Sequence, residues 1–269
     1  MRNTPISRVF TRFALGLALV VMAAEGQAQL GSGWVEYKPE RKIHLVDFES
    51  SFRKGMQSLD WKPNAEMGSP KPASSYAYDE KSDTETFTLF DKRANRSEIR
   101  LHHDYGTGSR QFEGYVTFFP PLNDESLFQV WGSDEGATQM MIRGFAAHGG
   151  ELRIANAIVK GMPRVATNCY NREIKVNVIH LQEDVGNKFM VFLDDQKVLE
   201  FADGEHPRNN NGKNYHKYGC YGTLKTDGAV VKWRKVRHFM DGRAPVENPI
   251  PAGDARAANE TTSAARRTP

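Results

Sequence analysis

Three short segments, NRSEIRLHH at 95–103, LFQVWG at 127–132 and NYHKYGCYGTL at 214–224, carry residue types suited to holding an acidic ligand and moving protons on it. Side chains two apart on a strand point the same way, so Arg96, Glu98, Arg100 and His102 are expected in one polar row, with Ile99 and Leu101 facing a core. A solvated outer sheet face would carry the same alternation. In the second segment Gln129 and Trp131 share a face. An aromatic face stacks on a pyranose ring while an amide hydrogen-bonds its polar groups, although a strand tryptophan also serves as plain packing. In the third segment Tyr215, Lys217, Gly219 and Tyr221 share a face, and the glycine is expected to leave room for a ligand to approach the backbone. A lysine two residues from a tyrosine on this face puts a fixed cation near a phenol and favours phenolate, which suits proton transfer. Taken alone, the segment is equally an aromatic-rich strand with a solvated lysine.

These rows need strands to hold them, and from Thr84 onward the chain has a period of two. The segments 86–90, 97–103, 111–119, 173–182, 188–201 and 229–239 alternate or are rich in β-branched and aromatic residues, with turn residues between them. Val185-Gly186-Asn187 and Asp194-Asp195-Gln196 read as hairpin turns. Residues 51–83, rich in Ser, Pro, Lys and Gly, read as a long loop or irregular cover. HPRNNNGKN at 206–214 reads as a polar loop that either covers a cleft or is simply solvated. No segment has a long helical period, so the pattern is all-β: a sandwich, jelly roll or barrel.

Arg2, Arg8 and Arg12 precede an apolar run from Phe13 to Ala24 and the small-residue pattern Gly26-Gln27-Ala28. This predicts a signal peptide over 1–28 and a secreted or periplasmic protein, with an uncleaved membrane anchor as the alternative. Residues 29–242 then form the β domain and 243–269, poor in large apolar residues, a disordered tail. Removing residues 1–28 takes 36 basic and 33 acidic residues to 33 and 32. A near-zero charge without a basic face argues against a nucleic-acid partner. No later segment is apolar enough to span a membrane, and a monomer is expected. The two cysteines, Cys169 and Cys220, suggest one disulfide in an oxidising compartment. Without matching histidines they are not a zinc site, and no metal is expected.

RSEIR, a strand bearing Gln129, and YHKYGCY, in this order, resemble the three signature strands of the family-seven alginate lyases, R-S/T-E-L/V-R, Q-I/V-H and Y-F-K-A-G-x-Y. The likeness extends loosely over 85–240. It implies a β-jelly roll of two antiparallel sheets with a concave groove for an acidic polysaccharide, and no cofactor. It also implies that Arg96 and Gln129 neutralise the uronate carboxylate, that Tyr221 is the acid or acid–base, and that Glu98, Arg100 and Lys217 line the site. The sequence departs from the pattern at Trp131, where the family has histidine. Either Tyr221 serves as both base and acid, or another histidine substitutes, His102 being the best placed. A related family acting on glucuronan shares a similar sheet, so the substrate is alginate or another uronan.

The chemistry implied is β-elimination. Groups on the carboxylate stabilise an enolate-like intermediate while a base removes the C5 proton and an acid protonates the departing O4. A lectin-like sandwich with the same groove but no turnover is the main alternative. A glycoside hydrolase would need a second carboxylate near Glu98, for which Glu113, Asp134 and Glu135 are available.

Overall fold

The computed structural model describes residues 30–45, 48–51, 58–60, 74–90, 96–101, 104–106, 108–132, 137–155, 161–181, 188–203, 214–222 and 226–245. The expected signal peptide, His102, His103, Asp134, Glu135, the 185–187 turn, residues 206–213 and residues 246–269 lie outside the described residues.

Among the described residues there is no α-helix, only a 3-10 turn at Ala147–Gly149, and the strands form two antiparallel sheets. One sheet runs β15 (Gln196–Ala202), β14 (Lys188–Leu193), β13 (Ile174–Leu181), β8 (Arg110–Phe118), β17 (Ala229–Met240), β6 (Thr84–Leu89), β5 (Ser74–Asp79) and β4 (Ser58–Asp60), with β1 (Val35–Tyr37) pairing with β17. The other runs β12 (Arg164–Ala166), β11 (Glu151–Ala155), β10 (Ala137–Phe145), β9 (Glu125–Gly132), β16 (Tyr215–Gly222), β7 (Arg96–Arg100), β2 (Lys42–Leu45) and β3 (Phe48–Ser51). Consecutive strands pair at the sheet edges, but in the middle β13-β8-β17-β6 and β9-β16-β7-β2 pair strands distant in sequence, as in a jelly roll.

The alternation seen in the sequence fills the space between the sheets. Phe87, Phe112, Val116, Val231 and Trp233 of the nine-stranded sheet meet Ile43, Ile99, Phe128, Val130 and Tyr218 of the other in one buried cluster. Phe112 sits at its centre, with ring centroids 4.4 Å from Phe128, 5.1 Å from Trp233 and 5.6 Å from Tyr218. Each such ring contributes roughly 1.5–3 kcal/mol by leaving water. One buried polar knot fixes β16 in this core: the Tyr218 hydroxyl donates to Glu85 at 2.8 Å, Tyr76 donates to the same carboxylate at 2.7 Å, and Arg41 pairs with it.

Two readings of the sequence change, and one expected turn is found. Residues 51–83 are not one loop, because β4 and β5 lie within them; Tyr76 is fully buried against Phe87 and outweighs the serine-rich composition around it. Cys169 and Cys220 are free, buried thiols that pack as small apolar groups instead of forming a disulfide. The hairpin at 194–196 is present, with Asp194 and Asp195 both at positive φ (49° and 65°), the conformation of a two-residue type I′ turn. At the far end, the backbone of Arg243 exchanges two hydrogen bonds with Ser32, so ordered pairing reaches the first residue of the expected tail.

Candidate functional site

The three polar segments become neighbours because β16 lies between β7 and β9 at the middle of the eight-stranded sheet. Register places Lys217 opposite both Arg100 on β7 and Gln129 on β9, Tyr221 opposite Arg96, Gly219 opposite Glu98, and Tyr215 opposite Trp131. Arg96, Glu98, Arg100, Gln129, Lys217 and Tyr221 stand on the face away from the core, Tyr215 and Trp131 pack along its margin, and His216, Tyr218 and Cys220 point inward. Glu98, Gln129 and Lys217 are only 2%, 1% and 4% exposed, which rules out the solvated-face reading of these rows. With Ser126, Gly219 and Tyr221 they border about 140 Å³ of empty space that is too narrow to hold a water molecule, so these side chains are closely packed on one another.

Positive charge exceeds negative at this face. Glu98 is the carboxylate among Arg96, Arg100 and Lys217, and Arg100 claims it, with Nε and a terminal nitrogen donating to Oε1 at 2.7 and 2.6 Å. Arg96 stands further off, 3.8 Å from the same oxygen, with its guanidinium 5.0 Å above the Tyr221 ring. The Lys217 ammonium rests on the Trp131 ring at 3.9 Å from its centroid and comes within 5.7 Å of Tyr215 and 5.8 Å of Tyr221. Burial, with Arg96 and Arg100 nearby, pushes the Lys217 amine down to about 8 despite the opposing pull of Glu98.

Gln129 is held by one hydrogen bond, its Nε2 donating to Thr138 Oγ1 at 2.5 Å, and its buried Oε1 has no partner. A hydroxyl donates as readily as it accepts, so a half-turn of the amide keeps the Thr138 bond and frees the two-proton nitrogen for a carboxylate. With the amide turned, Thr138 donates to Oε1 and the ligand carboxylate accepts from Nε2, which relieves the roughly 1–3 kcal/mol cost of leaving a buried polar atom unpaired.

The glycine has a different reason from the one expected. Gly219 has φ +136°, and an added Cβ would lie 2.5 Å from the Ser97 carbonyl oxygen and 2.8 Å from both Glu98 Cα and Phe87. It is needed for close packing of β16 on β7 and the core, where the register between β16 and β9 also shifts. Its bare position still leaves nothing between Lys217 and Tyr221 along the strand.

One titratable residue of this face escaped the sequence reading. His44 of β2 stands opposite Glu98, with Nδ1 3.9 Å from its Oε1. Its signal was the alternation in KIHL, too short to stand out in a polar lead-in. Thr138 and Ser126 gave no signal because their roles follow from neighbouring strands. His216 is fully buried between the sheets against Phe112 and Phe128, and burial holds it neutral. Glu113 lies on the other sheet, beside Lys175 and Asn177, so it forms no carboxylate pair with Glu98. Among the described residues, no group of three histidine, cysteine, aspartate or glutamate side chains is arranged to hold a metal ion. Nor is any described helix long and apolar enough to cross a membrane.

The architecture is that of known alginate lyases. Alginate lyase A1-II′, a member of polysaccharide lyase family 7, superposes with a TM-score of 0.52 over 76% of this chain and 96% of its own, at 13% identity. Alginate lyase AlyC3 in complex with dimannuronate superposes at 0.51 over 76% of this chain and 90% of its own, at 10% identity. At such identities the likeness is one of fold. In sequence, a citrate-binding protein of Hevea brasiliensis is 33% identical over 150 residues, 54% of this chain, and the chain spans 56% of that relative's length. No protein-family model matches.

Proposed function

We propose that the chain is an exported polysaccharide lyase that cleaves a uronic-acid polymer, alginate or a related uronan such as glucuronan, by β-elimination. The observation that carries this reading is the register of β7, β16 and β9, which brings Arg96, Gln129, Lys217 and Tyr221 onto one buried, cation-rich face. The likeness in fold to alginate lyases supports it. A uronate carboxylate seated by Arg96 and the turned Gln129 amide gains the charge stabilisation that an enolate-like intermediate requires; one such donor is worth about 10²–10³ in kcat. Trp131, partly exposed, lies at the end of the same face with the Lys217 ammonium against its ring. The Tyr221 hydroxyl, on the same row as Arg96, then gives its proton to the departing O4.

The test is to mix the purified protein with alginate, glucuronan and other uronans and to follow the ultraviolet absorbance of the unsaturated product. Turnover on at least one is expected, and folded protein inactive on all would reject the reading. Tyr221→Phe should lower kcat by roughly 10²–10⁴ while polymer affinity holds.

A second reading has its own support, since the sequence relative is named for binding citrate, a carboxylate-rich small molecule. In it the same cationic face holds an acidic ligand without breaking it. Calorimetric binding of citrate or uronan with no unsaturated product, and with an unchanged affinity in Tyr221→Phe, would favour that reading.

A further inference from the structure

Elimination needs a group that accepts the C5 proton, and Trp131 stands where the family pattern has the histidine that would do so. Resting on the lyase reading above, we propose that Lys217 is that base, its neutral amine taking the C5 proton while Tyr221, on the same strand, protonates O4.

Three observations carry the assignment. Lys217 lies in register between Arg100 and Gln129, next to the amide assigned above to the uronate carboxylate, from which C5 is one bond away. Its Nζ is 5.8 Å from the Tyr221 ring across the bare Gly219. The amine and the phenol ring thus stand side by side along one strand, close enough to face a single sugar from the same side. Finally, among the described residues Lys217 has no ion-pair partner, because Arg100 occupies the Glu98 oxygen.

The charged and titratable groups around it are Arg96, Glu98 and Arg100 on β7 and Tyr215 and Tyr221 on its own strand; β9 presents uncharged Gln129 and Trp131. Lys42 and His44 stand one strand further out, on β2. Two guanidiniums and burial against one shared carboxylate favour the neutral amine, consistent with its lowered pKa. His44 is the competing base, but β7 separates it from β16, a span of about 10 Å in two strand spacings.

In the step itself the Lys217 lone pair takes the C5 proton. The C5–H electrons become the C4–C5 double bond as the C4–O4 bond breaks, and O4 leaves with the Tyr221 proton. The resulting ammonium and phenolate are restored when the proton passes from Lys217 to Tyr221 before the next turnover.

The test compares wild type, Lys217→Arg, Lys217→Gln, His44→Gln and the double variant Lys217→Arg/Trp131→His on the uronan that wild type cleaves. Wild-type kcat/KM should rise with pH through a midpoint near 8. Lys217→Arg keeps a cation on Trp131 and should bind polymer normally, yet lose about 10²–10⁴ in kcat together with that pH limb. Lys217→Gln should lose it too, which covers the case in which arginine perturbs the strand. The double variant should regain turnover with its pH limb moved down toward the imidazole range near 6.5. Wild-type turnover in Lys217→Arg, or loss of the pH limb in His44→Gln alone, would overturn the assignment while leaving the lyase reading standing. Inactive wild type on every uronan removes the lyase reading itself.

Discussion

Thr138 contributes one hydroxyl to the site, and that hydroxyl keeps the Gln129 amide on the groove side of β9. Its value is that of a single neutral hydrogen bond, about 0.5–1.5 kcal/mol. Thr138→Val should therefore lower kcat/KM on uronan roughly two- to tenfold, well short of the 10²–10³ expected for Gln129→Ala. Equal losses in the two variants would show that Thr138 does more than orient the amide. At this scale the sequence was legible wherever a side chain's direction follows from strand parity: Arg96, Glu98, Arg100, Gln129, Lys217 and Tyr221 all stand on the expected face. It was not legible where a role depends on a neighbour supplied by another strand. Glu98 is tied up by Arg100, His44 joins through β2, and neither follows from the motif that contains it.

Strand β16 has one tolerance it cannot exceed. Gly219 combines a left-handed φ with backbone on one side and Phe87 on the other, so Gly219→Ala meets both conformational strain and overlap. Each costs about 1–3 kcal/mol. Urea unfolding should show Gly219→Ala destabilised by at least about 2 kcal/mol, and a cost below 0.5 kcal/mol would mean that β16 and β7 part easily. Strong alternation made β6, β8, β13, β14, β15 and β17 readable in advance, whereas β10 and β11, which follow the site strand β9 in its sheet, were not marked. β4 and β5 were hidden because serine, lysine and proline dominate their surroundings. What makes β5 a strand is the ladder with β6 and the burial of Tyr76, which are tertiary effects.

The sandwich as a whole encloses imidazoles it cannot let charge. Burial, aided by Arg41, pushes His238 down to about 3, and burial with His238, His180 and Arg110 nearby holds His216 well below its ordinary value. In the unfolded chain both take a proton near 6.5, so the neutral form stabilises the fold fully above that pH. As pH falls from 6.5 toward 3 the unfolded state gains protons that the folded state refuses, costing about 1.4 kcal/mol per group for each pH unit. Stability by denaturant titration should therefore fall steeply below pH 6. His216→Phe should make that slope shallower. At pH 8 it should change stability by no more than about 1 kcal/mol, since neither His216 ring nitrogen has a hydrogen-bond partner to lose. The two-sheet architecture was legible from strand number and alternation, whereas this shared polar interior was not, because His180, His216 and His238 come from three separate strands.

The unpaired thiols open a further measurement. Cys220 backs directly onto the Tyr221 face, and Cys169 lies in the turn that leads into β13; both are fully buried. A thiol reagent can reach either sulfur only while the structure around it is transiently open, so each labelling rate reads the local opening equilibrium. Unfolded protein should take two labels without prior reduction, and in the folded state Cys220 should react far more slowly than Cys169. The chain thus carries two internal clocks, one set into the centre of the sandwich and one into its margin. Bound polymer should slow the central clock and leave the marginal one running at its own pace.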